Sequence, residues 1–447
     1  MTQPSRPGSI GTVPPPSGGA PSHGPPPADP AVASRNQTVA PPQPRQGGGH
    51  FESLDGYRAV AALIVLVYHV AGYARLATGK TPLAMFLNNV GNFAVAIFFL
   101  LSGFLLYRPF TTAHFRGSAP PDPVGYLRRR AIRIWPAYVV ALSAFLLLGL
   151  NKARDVGPDY YFTLFSLTQV YRRSYGFAGL SVAWTLCVEI AFYLALPLLA
   201  GGIRFLGRGA RTHRMKLEAE LAGLFTMYVV ALIFRGLVAA PSQYDSESYP
   251  LTVFHLWLPN FFDWFALGML FAVCVAWTDL GHALPRWLQS LADRWWLSWL
   301  LAAGLFWALT VARGGGVDAN GALTRETPTL MFLRFLLNGF AAFLLLLPAI
   351  LATTRTDPGN RVLSHAVPTY IGTVSFGLYL WHKVFLYKLN EVFEASGTRP
   401  SFGVMLGLVL GLSLIAASIS YYVIDTPFLR FKDSRRRRNA ARGGARS

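Results

Sequence analysis

The chain has 447 residues, of which 53% are hydrophobic and 14% aromatic, and its formal net charge is +19 at pH 7. The apolar residues form many runs of about 20 residues, the length that crosses a bilayer, which excludes a soluble globular core. The basic residues lie in short segments between these runs, as membrane-orientation signals do, and this excludes a basic nucleic-acid-binding domain.

The N-terminal segment, residues 1–50, is rich in Pro, Gly, Ser and Gln and contains almost no large apolar residue. Such a segment buries too little apolar surface to offset the entropy lost on ordering, so a disordered tail is predicted. We therefore divide the chain into this tail, a membrane domain over residues 51–430 and a basic tail over residues 431–447.

Ten apolar stretches predict an all-α, polytopic helical transmembrane bundle. The stretches are residues 55–74, 92–110, 132–150, 182–202, 221–240, 253–277, 295–312, 330–352, 369–388 and 403–424. An even number of spans places both termini, and the basic segments 128–133, 204–216 and 430–446, on one side, which the positive-inside rule makes cytoplasmic. An aromatic run at residues 160–167 is too short to span, and it predicts a re-entrant or interfacial element.

The first predicted helix carries two ionisable residues, Arg58 and His69, eleven positions apart. At about 100° and 1.5 Å per residue they share one face and lie roughly 16 Å apart along the axis. Arg58 is close enough to the helix end to snorkel to the headgroups, and His69 has the alternative of donating to a neighbouring helix. His69 lies well inside the span, where an ionisable side chain is costly, and imidazole suits proton transfer near neutral pH, which favours a catalytic role.

A cluster of arginines precedes the third predicted span at residues 128–133. Arg130 and Arg133 are three positions apart and therefore neighbours on one helix face. Paired guanidinium groups at a cytoplasmic opening suit a ligand that carries several phosphates. Arg128 and Arg129 are interpreted as positive-inside anchors.

The fourth predicted span contains a single carboxylate, Glu189. A lone acid in a span is neutral, paired or hydrated, and Thr185, four residues earlier, lies on the same face to hydrogen-bond it. The alternative is an interhelical pair that only fixes packing. The two cysteines of the chain, Cys187 and Cys274, lie in apolar segments and predict neither a disulfide framework nor a metal site.

The ninth predicted span has a polar stripe of Ser375, Tyr379 and His382, spaced four and three residues apart. This stripe predicts the lining of a cavity, whereas interfacial anchoring accounts for Trp381 and Lys383. In the second span, the Ser-Gly step within residues 98–104 is interpreted as a site of close helix packing.

Taken together, these stretches resemble the acyltransferase-3 family of integral membrane O-acyltransferases. The stretch LDGYRA at residues 54–59, with His69, is similar to the family's opening motif, a basic residue and a histidine with ten residues between them. The later similarities keep the family's order: FFLLSGF at 98–104, RAIR at 130–133 with Pro136, WTLCVEIAFY at 184–193, SFGLYLWH at 375–382 and YYVIDTPF at 421–428. The chain departs from the family pattern at Ala96, Ile190 and Ala191, so a mechanism that needs two adjacent carboxylates is excluded.

The resemblance implies transfer of an acyl group, often acetyl, from acyl-CoA to a hydroxyl of an envelope carbohydrate or glycolipid. For that reaction, Arg58, Arg130 and Arg133 are expected to bind the donor phosphates and His69 is expected to act as the general base, with a covalent acyl-histidine intermediate as the less favoured alternative. Glu189 is then expected to orient or charge-balance His69. The expected acceptor side consists of Asp55, Ser375, Tyr379 and His382. The expected partners are acyl-CoA, a glycan or glycolipid and the bilayer, with no metal and no nucleic acid, in the inner membrane of a bacterium.

Two other function classes use buried ionisable residues. A secondary transporter usually has paired halves with broken helices at matching places, and no such duplication is visible in this sequence. A flippase of a lipid–sugar conjugate is a further alternative, and CoA release on mixing donor and acceptor distinguishes an enzyme from either carrier. A non-catalytic scaffold does not require an intramembrane set of His, Glu and Arg.

Overall fold

A computed structural model describes residues 52–427 except for 75, 77–80, 152, 154–155, 173–174, 240–253, 314–326 and 355–356. The predicted disordered tail (residues 1–50) and basic tail (residues 431–447) lie outside these described residues. Within them the regular structure is helical.

The α-helices are numbered here in chain order. They are α1 Glu52–Tyr73, α2 Pro82–Arg116, α3 Pro123–Leu147, α4 Pro158–Phe165, α5 Trp184–Leu206, α6 His213–Phe234, α7 Phe262–Asp279, α8 Arg286–Asp293, α9 Trp295–Arg313, α10 Pro328–Leu351, α11 Pro358–Leu363, α12 Ala366–Thr373, α13 Ser375–Ala395 and α14 Phe402–Ser420. Of the helices in the described ranges, nine are long and apolar enough to cross a membrane: α1, α2, α3, α5, α6, α7, α9, α10 and α14. The predicted polytopic helical bundle is therefore confirmed.

The predicted span at residues 369–388 differs from the observed helices. The chain breaks at Val374 into α12 and the 21-residue helix α13. Any 18-residue stretch of α13 includes Lys383, Lys388 and Glu391, so this helix carries more charge than a typical spanning helix. The polar residues of its first half are buried, so this half of α13 faces the inside of the bundle. The cytoplasmic location of both termini stays a prediction.

Helix α2 is central and packs against α1, α7 and α10. Its contact with α7 is close because Gly103 faces the Phe265 carbonyl and Gly268 of α7 faces the Leu100 carbonyl, where a Cβ atom would clash with backbone. Phe265 also stacks on Phe192 of α5, with ring centroids 3.9 Å apart. The close packing predicted for the Ser-Gly step is confirmed.

The region between α3 and α5 contains the short element predicted from residues 160–167. Helix α4 has eight residues, about 12 Å of length, which is too short to span a bilayer. It is fixed to α3 by a hydrogen bond from the Tyr138 hydroxyl to the Leu164 carbonyl (2.9 Å), and the segment after it accepts a bond from the Trp257 indole at the Val170 carbonyl (3.0 Å). These bonds therefore tie the region to α3 and to the segment before α7.

Candidate active site

Two histidines from different helices form a pair, in which His382 is buried and His69 is half-buried. His69 of α1 and His382 of α13 lie with Nδ1 and Nε2, respectively, 3.1 Å apart, and their ring centroids are 5.1 Å apart. His382 is 1% exposed. The sequence predicted both residues as site residues but did not predict that they pair with each other.

The hydrogen bonds of this pair define which nitrogen of His69 carries a lone pair. His382 Nδ1 lies 3.2 Å from the Leu378 carbonyl oxygen, and since a carbonyl only accepts, Nδ1 of His382 is the protonated nitrogen. In the neutral pair, His382 Nε2 must then accept a hydrogen bond from His69 Nδ1. The lone pair of His69 is therefore on Nε2, the atom that a general base uses.

A cavity of about 790 Å³ lies beside His69. Its walls come from the C-terminal end of α1, the C-terminal half of α13, the connection that follows it and the start of α14. Aromatic and polar side chains alternate along these walls, among them Tyr68, Tyr73, Asn88, Asn390 and Glu394. Such a mixed lining suits a ligand with both apolar ring faces and hydroxyl groups.

The three predicted donor-binding arginines lie together, about three helical turns from His69 along α1. The charge of Arg58 interacts with those of Arg133 and Glu189, and Arg130 interacts with the same two residues. Arg58 Nη1 also lies 3.9 Å from Asp55 Oδ1, which places Asp55 in this arginine cluster and not beside the histidine pair. Arg133 is exposed, whereas Arg130 buries an Nε atom that has no hydrogen-bond partner.

Glu189 organises a second, smaller cavity of about 60 Å³ that is also lined by Arg58. Its Oε1 accepts hydrogen bonds from Ser102 Oγ (2.7 Å) and from the Tyr193 hydroxyl (2.5 Å). Ser102 is a site residue that sequence reasoning missed, because the Ser-Gly step was interpreted only as packing. The available signal was its hydroxyl, one of few polar groups in the middle of an apolar helix.

Two predicted contacts of Glu189 are replaced in the structure by other pairs. Thr185 Oγ1 lies 2.7 Å from the Tyr379 hydroxyl and donates to the Val182 carbonyl (3.1 Å), so the expected bond to Glu189 was wrong. The expected partner of His69 was Glu189, but His382 occupies that place because α13 packs directly against α1.

The polar stripe of α13 divides between the two cavities. Ser375 and Tyr379 line the small cavity with Glu189, and Ser375 Oγ donates to the Gly372 carbonyl (2.7 Å). His382 turns instead to His69, while its ring centroid lies 5.9 Å from that of Tyr379. The histidine pair therefore lies between the arginine side and the large cavity.

Lys383 does not lie at an interface as an anchor, as the sequence analysis expected. It is 5% exposed and lines the large cavity with His69. Its Nζ atom lies 4.8 Å from the ring centroid of Tyr387 and 6.0 Å from that of Tyr73. Its position in sequence, next to Trp381 in the outer half of the predicted span, gave no signal of this environment.

The arrangement provides the groups that an acyl-transfer reaction requires. Guanidinium groups are suited to bind phosphates, an imidazole with a defined lone pair is suited to accept a proton from a hydroxyl, and the cavity beside that imidazole is large enough for a small ligand. Within the part of the chain that the structure describes, no group of three or more His, Cys, Asp or Glu side chains is placed to hold a metal ion.

Comparison with known proteins gives one family match. The model of the acyltransferase-3 family, an acyltransferase domain, matches residues 51–421. The chain is 32% identical over 178 residues to nodulation protein 10 of Rhizobium leguminosarum bv. viciae, an alignment that covers 35% of this chain and 46% of that protein.

Longer alignments link the chain to bacterial O-acetyltransferases. It is 22% identical over 409 residues to a putative O-acetyltransferase of Staphylococcus aureus (strain COL), covering 85% of this chain and 57% of the relative. It is 23% identical over 393 residues to the peptidoglycan O-acetyltransferase of Listeria monocytogenes, covering 84% and 55%. The chain thus spans about half the length of these relatives. No solved structure matches the chain.

Proposed function

Because the chain belongs to the acyltransferase-3 family, we propose that it moves an acyl group, by analogy with its relatives an acetyl group, from acyl-CoA to a hydroxyl of a cell-envelope carbohydrate or glycolipid. The single observation that carries this proposal is the His69–His382 pair at the wall of the 790 Å³ cavity, with the lone pair of His69 on Nε2. The relatives named as O-acetyltransferases support an acetyl donor and a hydroxyl acceptor.

In the proposed donor site, Arg58, Arg130 and Arg133 bind the phosphates of acyl-CoA. Their mutual proximity supports this role, since three cations near one another gain most from a ligand with several negative charges. Glu189 partly balances them, and its bonds to Ser102 and Tyr193 hold it in place. The pantetheine arm then follows α1 past Ser375 and Tyr379 toward His69.

In the proposed reaction, His69 Nε2 takes the proton of the acceptor hydroxyl as its oxygen attacks the thioester carbonyl carbon. The carbon–oxygen bond forms and the carbonyl electron pair moves to the oxygen. When this intermediate collapses, the carbon–sulfur bond breaks and His69 returns the proton to the CoA sulfur. The products are the O-acyl ester and free CoA, and His382 keeps His69 in the tautomer that starts the next cycle.

The proposed location is a bacterial inner membrane with both termini in the cytoplasm, where acyl-CoA is available. The nine apolar helices support the membrane location, and the basic segments support the orientation. The arginine cluster then faces the cytoplasm, and the large cavity lies toward the opposite side.

The test is CoA release by the purified protein with acetyl-CoA and envelope glycan or glycolipid fractions. We expect wild-type protein to release CoA and label the acceptor, and His69→Ala to lose this transfer. The matched control is His365→Ala, a change at an exposed histidine. Full transfer by His69→Ala would refute the assigned base, and absence of CoA release by the wild type would favour a transporter or flippase.

The donor site is tested by CoA binding. Arg130→Ala should weaken CoA affinity about tenfold, as expected for the loss of one charge-assisted bond. Arg128→Ala, a change at an exposed arginine of the same helix, is the matched control. Equal affinities in both variants would remove Arg130 from the donor site.

A further inference from the structure

Lys383 places a buried ammonium group at the wall of the large cavity. The cavity is lined by both Lys383 and His69, and Lys383 directly follows the partner of His69 in sequence. Its charge is within electrostatic reach of both imidazoles of the pair. The three groups therefore belong to one site.

Two tyrosine rings fix the position of this ammonium. Tyr73 and Tyr387 are in edge-to-face contact, with centroids 5.8 Å apart, and Nζ of Lys383 lies near the faces of both rings. Cation–π contacts of this kind favour a cation over a neutral group. Of the two rings, that of Tyr387 lies nearer to the Lys383 ammonium.

The hydrogen-bonding capacity of Lys383 is not used up by these contacts. An ammonium has three N–H donors, and contacts with ring faces do not satisfy all of them. Within the described ranges, no carboxylate lies within the 4.0 Å of an ion pair with Lys383; Glu394, which lines the same cavity, instead accepts from Asn390 (2.9 Å). A buried cation with spare donors, beside a proton-accepting imidazole, is suited to bind a developing negative charge.

We propose, on the basis of the function proposed above, that Lys383 binds the oxyanion formed during acyl transfer. As the acceptor oxygen attacks, the carbonyl electron pair moves to oxygen, and the Lys383 ammonium donates a hydrogen bond to that oxygen without giving up its proton. When the carbon–sulfur bond breaks, the carbonyl re-forms and Lys383 releases it. His69 carries the proton throughout, so the two residues have separate roles.

The test compares Lys383→Met with Lys388→Met in the CoA-release assay. Lys388 lies on the same helix, is 39% exposed and pairs with Glu391 (2.9 Å), so its substitution controls for the loss of one lysine. We expect kcat of Lys383→Met to fall about 10²- to 10³-fold, the effect of removing one oxyanion donor, while Lys388→Met stays within about twofold of the wild type. Equilibrium binding of CoA itself should be unchanged in both variants.

Lys383→Arg and Lys383→Gln keep the proposal testable where the methionine variant does not fold. Lys383→Arg, which keeps the charge, should retain at least tenfold more activity than Lys383→Gln at equal thermal stability. Equal kcat in these two variants, or wild-type kcat in a folded Lys383→Met protein, would overturn the assignment to Lys383. These outcomes are distinct from failure of the proposed function, in which the wild type itself releases no CoA.

Discussion

The pairing of His382 with His69 makes a quantitative prediction. Substitution His382→Phe removes the acceptor of the His69 Nδ1–H bond, which measures 3.1 Å, and leaves this donor facing an apolar ring in a half-buried site. An unsatisfied buried donor costs about 1–3 kcal/mol. If the His69 ring turns or changes its tautomer to avoid this penalty, the reactive arrangement becomes less stable by the same free energy. kcat then falls about 5-fold to about 150-fold, since 1.36 kcal/mol corresponds to a factor of ten.

The assay is single-turnover transfer from acetyl-CoA at saturating donor concentration, with thermal unfolding measured on the same preparations. His382→Gln is the companion variant, because its amide oxygen is able to accept a hydrogen bond from His69. We expect the order wild type, His382→Gln, His382→Phe in rate, with CoA affinity unchanged. A His382→Phe protein that is folded and within twofold of the wild-type rate would refute the reasoning.

Three further predictions concern binding and packing. Arg58→Gln should raise the apparent KM for acetyl-CoA about tenfold with kcat within about threefold, since a charged hydrogen bond is lost from donor binding; an unchanged KM in steady-state assays would contradict this. Ser102→Ala should lower the stability of the protein by about 1 kcal/mol, because the hydrogen bond to Glu189 is lost, and the change is measured as a fall in Tm. An unchanged Tm would show that this hydrogen bond does not stabilise the fold. Gly268→Leu should lower the stability of the protein by about 3 kcal/mol or more, because a Cβ atom there meets a backbone carbonyl of α2. Gly411→Leu, at a position with open space around it, is the control and should leave the size-exclusion profile unchanged. A monodisperse, stable Gly268→Leu protein would contradict the close packing of α2 and α7.

Much of the fold is predictable from the sequence because an apolar stretch of about 20 residues is enough to predict a membrane-spanning helix. Nine of the ten predicted stretches correspond to helices that are apolar enough to span. The exception lies at residues 369–388, where the apolar stretch continues through Val374 and gives no sign of the break between α12 and α13. A local break depends on how α12 packs against α1, which composition does not encode.

The sequence predicted which residues belong to the candidate site better than it predicted which of them contact each other. Helical spacing places Arg58 and His69 on one face of α1, but the partner of each depends on which helix packs there. His382 rather than Glu189 contacts His69 for this reason. Lys383 was misassigned because a lysine near the end of a span is usually interfacial, and only the aromatic contacts from other turns and helices reveal its burial.

The two cavities are built from different parts of the chain. The small cavity takes its walls from α1, α2, α5 and the start of α13, whereas the large one includes the connection at residues 398–402 and the first turn of α14. Substitutions in that connection therefore change the large cavity and leave Arg58, Arg130 and Arg133 in place. Under the proposed function, related chains with this architecture are able to differ in acceptor while they share one acyl donor.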